Sequence, residues 1–228
     1  LLGVITHIHA DAVFHPLVYY LTGDYEDADR ARRSEAVQRH RRFESLIDVY
    51  FCGGSAFTKD HSLESIWAGL EIPPEQVVGL LPLDSQGGDV PEVEEAMRRA
   101  LKTLRLMNRW YRRRRLARFL YALWPLLPGS ARELVALCYA PQLDEMVTGV
   151  SGMLSYRHPV TGEAGSDSLA GRFEKAVRES AAFARIVEEK IASDTGPSLA
   201  ERGPSLNYGL PGTTALQRRK GATRFTLK

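Results

Sequence analysis

Between Ala96 and Arg132 the chain carries eleven Lys or Arg and no Asp or Glu. Placed on a helix at about 100° per residue, Arg98, Lys102, Arg105, Arg109 and Arg112 fall into one stripe, and Arg113 widens it a little. Met97, Leu101, Leu104 and Tyr111 share a second face, roughly 100° away. One side of such a helix can pack on a core while the other stays cationic. Like charges three and four residues apart repel by about 0.2–0.5 kcal/mol per pair. Within the run itself no acid relieves that repulsion, so the fold must bring acids to it or an external polyanion must.

The rest of the charge is segregated in the same way. The 228 residues hold 30 Lys and Arg against 28 Asp and Glu, a net charge of only +2. Arg30–Arg42 contains six Arg with Glu35 as its only acid, and Arg218–Lys228 contains five basic residues with none. The acids gather in Asp24, Glu26, Asp27 and Asp29, and in Asp84, Asp89, Glu92, Glu94 and Glu95. With 44% hydrophobic and 25% charged residues, the composition is that of a globular protein. It excludes a wholly disordered chain, a collagen-like fibre and a small disulfide scaffold.

Periodicity reads as mainly α: a multi-helix globular body over 1–193, with a split into two lobes near 82–91, and an extended, irregular basic arm over 194–228. Val4, Ile5 and Ile8 suit either a short strand or a helix start. Pro16 suits the first turn of a helix from Val13. A long helix is expected from about Tyr25 to Phe51. Two short helices follow, one of them Pro74–Leu81, and then a helix from Pro91 to about Trp124. Further helices are expected at 131–140 and from Pro141, with turns across 155–168. Ser168 then caps an amphipathic helix, 169–192, whose stripe is Leu169, Phe173, Ala176, Val177, Ala184, Val187 and Ile191. Cys52 and Cys138 sit among apolar neighbours and read as buried free thiols, which fits a reducing, intracellular compartment. No basic segment accompanies Leu1 and Leu2, so no secretory leader is expected there. The longest nearly apolar run, Phe119–Leu127, falls far short of the ~20 residues of a membrane span.

Arg forks onto phosphates better than Lys, and Trp110, Tyr111, Phe119 and Tyr121 lie within or just after the basic run, where stacking platforms hold single strands. The leading expectation is therefore a non-enzymatic structural protein that binds nucleic-acid backbone without sequence preference and self-assembles. It would be nucleocapsid- or coat-like, or a subunit of a ribonucleoprotein, and part of such a particle. The expected contacts are Arg98, Lys102, Arg105, Arg109, Trp110, Arg112 and Arg113, joined by Arg39 and Arg42 and by Arg218, Arg219 and Lys220 of the arm. Trp110 is the stacking residue and Tyr111 the buried one. The expected partners are single-stranded nucleic acid, RNA before DNA, and further copies of the chain through the arm. No membrane partner and no cofactor are expected. The alternative is a helical interaction subunit whose basic face meets an acidic partner.

A third reading is enzymatic. Thr6-His7-Ile8-His9-Ala10-Asp11 resembles the THxHxD stretch of the metallo-β-lactamase superfamily. The resemblance covers six residues and implies a strand delivering His7, His9 and Asp11 to a metal that activates water, hence a metal-dependent hydrolase. The chain departs from the pattern at Ala12, where a further His is usual, and at Val13 and Phe14, where glycines are. His15, followed by Pro16, does not complete it, and the family's αββα pattern is absent.

Overall fold

Helix α1 (Leu2–Thr22) opens a computed structural model that describes residues 2–59, 63–69, 90–193, 205–206 and 209–210. The expected Pro74–Leu81 helix, residues 82–89 of the expected lobe boundary, and Arg218, Arg219 and Lys220 lie outside the described residues. Among the described residues the structure is mainly α, with one two-stranded sheet. It divides into two compact units, Leu1–Ile47 with Glu145–Lys228, and Asp48–Asp144.

In the first unit α1 runs unbroken through Pro16. Neither the strand at Val4–Ile8 nor a helix start at Val13 forms, because Ile5, Ala12, Val13, Leu17 and Val18 are all buried along one continuous helix. Proline within a helix has no N–H to offer the carbonyl four residues back, so the Ala12 carbonyl is released from the helical ladder. Helix α2 (Arg30–Phe51) starts later than its charge pattern suggests. Asp24 and Asp27 accept from the backbone N–H groups of Glu26 and Asp29 at 2.9 and 2.8 Å, holding 24–29 in Asx turns. Asp29 then caps the helix by accepting from the Arg32 N–H at 2.9 Å. Ala36, Phe43 and Leu46 bury the inner face of α2. Arg39 Nε donates to the Thr22 carbonyl at 2.9 Å, satisfying the C-terminal end of α1.

The turn-rich stretch after Val150 contains a hairpin that the sequence reading missed, β1 (Leu154–Arg157) and β2 (Ala164–Asp167). The pairing is antiparallel with Tyr156 opposite Gly165. A Cβ at Gly165 would fall 2.4 Å from the Tyr156 ring, so the aromatic side chain occupies the place of the missing one. Four-residue strands rich in Ser and Gly leave too little alternation to detect.

The last helix of this unit, here numbered α8 (Leu169–Ala192), packs along α1. Its buried residues are Leu169, Arg172, Ala176 and Ser180, while Phe173 and Val177 are half-exposed. The buried edge is thus rotated from the expected stripe, because Ala and Ser let α1 come close. Arg172 lies over the Tyr156 ring at 4.3 Å and donates to the Val13 carbonyl and to Asp167, joining α1, α8 and the hairpin. Ser168 caps α8 as expected, its hydroxyl accepting from the Gly171 N–H at 3.0 Å. Ser168→Ala should therefore cost about 1 kcal/mol, and Ser168→Gly only a few tenths. Urea denaturation of the two variants measures the difference.

The second unit comprises a 3-10 turn at Ser55–Lys59, α3 (Leu63–Ala68), α4 (Val90–Tyr111), α5 (Arg114–Ala122), α6 (Gly129–Val135) and the start of α7 (Leu143–Met146). Among the described residues its buried apolar side chains are Val49, Ala117, Val135, Ala136, Cys138, Ala140 and Leu143. The helix expected to run to Trp124 breaks at Arg113, whose backbone is extended (φ −78°, ψ 96°). Beyond the break Arg114 reaches Asp144 at 3.0 Å. Asp144 also accepts from the N–H and hydroxyl of buried Ser55, at 2.6 and 2.5 Å. Cys138 is buried and Cys52 exposed. The expected buried pair therefore does not form, since Cys52 falls in the turn just after α2 ends.

Candidate metal centre

On α1 His7, Asp11 and His15 recur every four residues, and on α2 His40 and Glu44 do the same. That spacing stacks side chains on one helical face. In the first unit the two faces meet. His40 Nε2 lies 3.0 Å and His15 Nε2 3.5 Å from the same oxygen, Oε1 of Glu44. One ligand atom from each of the three residues lies within 4.8 Å of the others. Asp11 is at the edge of this group, 4.0 Å from His15 Nε2 and 3.5 Å from His7 Nε2.

Aromatic rings fix the imidazoles. Tyr19 packs against His15 and His40 at centroid distances of 5.2 and 5.1 Å, and Tyr25 meets His40 edge-on at 5.2 Å. The two tyrosine hydroxyls bond each other. His15 Nδ1 donates to the Leu206 carbonyl at 2.6 Å. A backbone acceptor on one ring nitrogen sets the tautomer that presents the other as a ligand. His40 Nδ1 is buried with no such acceptor among the described residues. The Glu44 side chain is 44% exposed, so the group opens to solvent.

The described part of the C-terminal arm belongs to this arrangement. Gly209 has φ +67°, and a Cβ there would lie 2.3 Å from the Ala12 carbonyl oxygen, the group released by Pro16. Glycine alone fits this approach, which places Leu206 against His15. Gly209→Ala should destabilise the protein by more than about 1 kcal/mol through its left-handed backbone. It should also shift the His15 imidazole resonances in an NMR spectrum, whereas Ser205→Ala should leave them in place.

Burial works against a charge on Glu44, but hydrogen bonds from His15 and His40 outweigh it and hold the carboxyl down to about 2 from its ordinary 4.5. Burial also disfavours charge on His15, and there Glu44, the Leu206 carbonyl and Asp11 win, raising it above its ordinary 6.5. The stabilising effect of Glu44 is present above pH 4.5 and lost as pH falls towards 2. That of His15 is present below pH 6.5 and lost as pH rises through the raised value. Chelator-treated protein should accordingly gain most from this cluster between pH 4.5 and 6.5. A melting-temperature profile should show that gain, and Glu44→Gln should flatten it.

Two imidazoles and one carboxylate with an open side form a donor set typical of catalytic zinc. A tetrahedral ion with bonds of ~2.0–2.1 Å holds its ligands about 3.3 Å apart; the two separations to Glu44 are 3.0 and 3.5 Å, and all three ligand atoms lie within 4.8 Å of one another.

Of the hydrolase residues read from the sequence, His7 and Asp11 adjoin this centre, but from a helix and not a strand. His9 points away, to Phe183 (centroids 5.6 Å) and Glu179 (3.9 Å) on α8. His40 and Glu44 form no compact motif in the sequence, since they stand inside the Arg30–Arg42 block and on its flank. Two i, i+4 pairs of ligating residues on neighbouring helices were the available signal.

Arg39 of the expected nucleic-acid contacts is held by Thr22 and by Glu35, at 3.5 Å, and Arg42 is half-buried. In the second unit Arg98, Arg105 and Arg112 are half-buried, Lys102, Arg109 and Arg113 exposed. Arg109 donates to Glu64 at 2.8 Å. Trp110 is 48% exposed, as its wheel position predicts. Tyr111 is half-buried, with its hydroxyl on Met107 Sδ. The expected stripe thus straddles the packed and open sides of α4. No protein-family model, curated protein or solved structure matches the chain.

Proposed function

We propose that the first unit is a metal-dependent hydrolase, its divalent ion held by His15, His40 and Glu44 with Asp11 alongside. The convergence of both imidazole Nε2 atoms on one Glu44 oxygen, on a side open to solvent, carries this reading. A bound ion of this kind supplies Lewis acidity toward a water or a substrate oxygen. The chain's own part is to hold the two imidazoles with Tyr19 and Tyr25, to fix the His15 tautomer through Leu206, and to offer Asp11 as a proton acceptor beside the site. This reading keeps the hydrolase suggested by His7 and Asp11 and moves its centre one turn along α1 and across to α2. The backbone-binding reading has less support, because Arg39 and Arg109 are engaged within the protein.

Elemental analysis of purified protein, paired with turnover of chromogenic carboxylate and phosphate esters, tests the proposal. Expected are about one equivalent of zinc or a similar ion and a hydrolysis rate that chelation removes and metal restores. A protein that binds no transition metal when supplied with it, or hydrolysis untouched by chelation, overturns it.

A further inference from the structure

Helix α4 contributes no fully buried residue among those described. Its exposed residues include Lys102, Leu106 and Trp110, which lie within roughly 80° of one another on a helical wheel; Arg99 and Glu95 share that face and pair with each other at 3.7 Å. Cations and large apolar side chains therefore share one outward face. Helix α5 repeats the pattern. Leu116, Ala117, Leu120 and Tyr121 turn inward, while Arg115, Arg118 and Phe119 face out, with Phe119 60% exposed. The 3-10 turn that follows leaves Leu126 81% exposed. No acid occurs from Ala96 to Arg132.

We propose that the exposed sides of α4 and α5 in the second unit dock on an anionic lipid bilayer surface. The inference is independent of the metal centre. Their charge is complementary to anionic headgroups, and Lys and Arg beside Trp, Phe and Leu is the chemistry of helices that lie in the headgroup region. A nucleic-acid backbone would also use the cations, and Trp110 and Phe119 would stack on bases. It would leave Leu106 and Leu126 unexplained, and the most regular cationic row, Arg98, Arg105 and Arg112, is half-buried and not outward. No helix among the described residues is long and apolar enough to cross a membrane, and that length criterion does not bear on a helix lying at the surface.

Sedimentation of the full chain with vesicles tests the proposal, using phosphatidylcholine alone, phosphatidylcholine with phosphatidylglycerol, and a labelled single-stranded oligonucleotide in parallel. The protein should sediment with the anionic vesicles, less as salt rises, and not with neutral ones. Trp110→Ser with Phe119→Ser should weaken this by at least ~10-fold with an unchanged circular dichroism spectrum. Should that pair fail to fold, Lys102→Glu with Arg118→Glu must give the same loss. Failure to bind anionic vesicles, equal binding to neutral ones, binding that survives these changes, or tighter binding of the oligonucleotide overturns the proposal.

Discussion

Glu44→Gln should leave the protein folded, without its divalent ion and without hydrolytic turnover. Both imidazole Nε2 atoms face the same Glu44 oxygen, so this carboxylate is the charge that draws an ion between them. Gln keeps the shape and removes the charge. Changing groups that merely orient metal ligands costs 10–100-fold in affinity or activity, so losing an anionic ligand should cost more than about 100-fold. Glu35→Gln, on the same helix and paired with Arg39, should change neither metal content nor rate. Elemental analysis and initial rates on the two variants, with circular dichroism as the folding control, give the answer.

Phe43→Ala should be the most destabilising single truncation in the first unit. Phe43 heads the large side chains that are completely buried, and its neighbour in sequence is Glu44. Removing an aromatic ring from a core costs about 3–5 kcal/mol, a large part of the 5–15 kcal/mol by which domains are stable. Urea denaturation with the metal site emptied measures this without the ion's own contribution. A loss below about 1 kcal/mol would mean that α2 does not carry the core here. Because a bound ion stabilises the folded state by mass action, zinc should partly restore Phe43→Ala and should not restore Glu44→Gln.

The helices were legible where apolar spacing and caps agree, as at Ser168 and α8. They were misplaced where a local interaction overrides spacing. Pro16 read as a helix start, yet buried apolar neighbours on both sides carry α1 through it. A helix was expected from Tyr25, yet the Asp24 and Asp27 carboxylates fold back onto the backbone and delay α2 to Arg30, with Asp29 as its cap. The hairpin was illegible because Tyr156 and Gly165 make it through shape, not alternation. At the site, His7 and Asp11 stood out as a compact motif, while His15, His40 and Glu44 did not. Their meeting depends on how α1 and α2 pack, and spacing along either helix gives only half of it. The basic run was plain as composition, but which of its residues face outward is set by the break at Arg113 and by the packing of α4.

Crystals of the full chain grown with zinc, measured on both sides of the zinc absorption edge, test the central claim most directly. The account predicts an anomalous peak about 2.0–2.1 Å from the Nε2 atoms of His15 and His40 and from a Glu44 oxygen. Zinc bound elsewhere, or none bound while these three side chains keep their hydrogen bonds to one another, would contradict it.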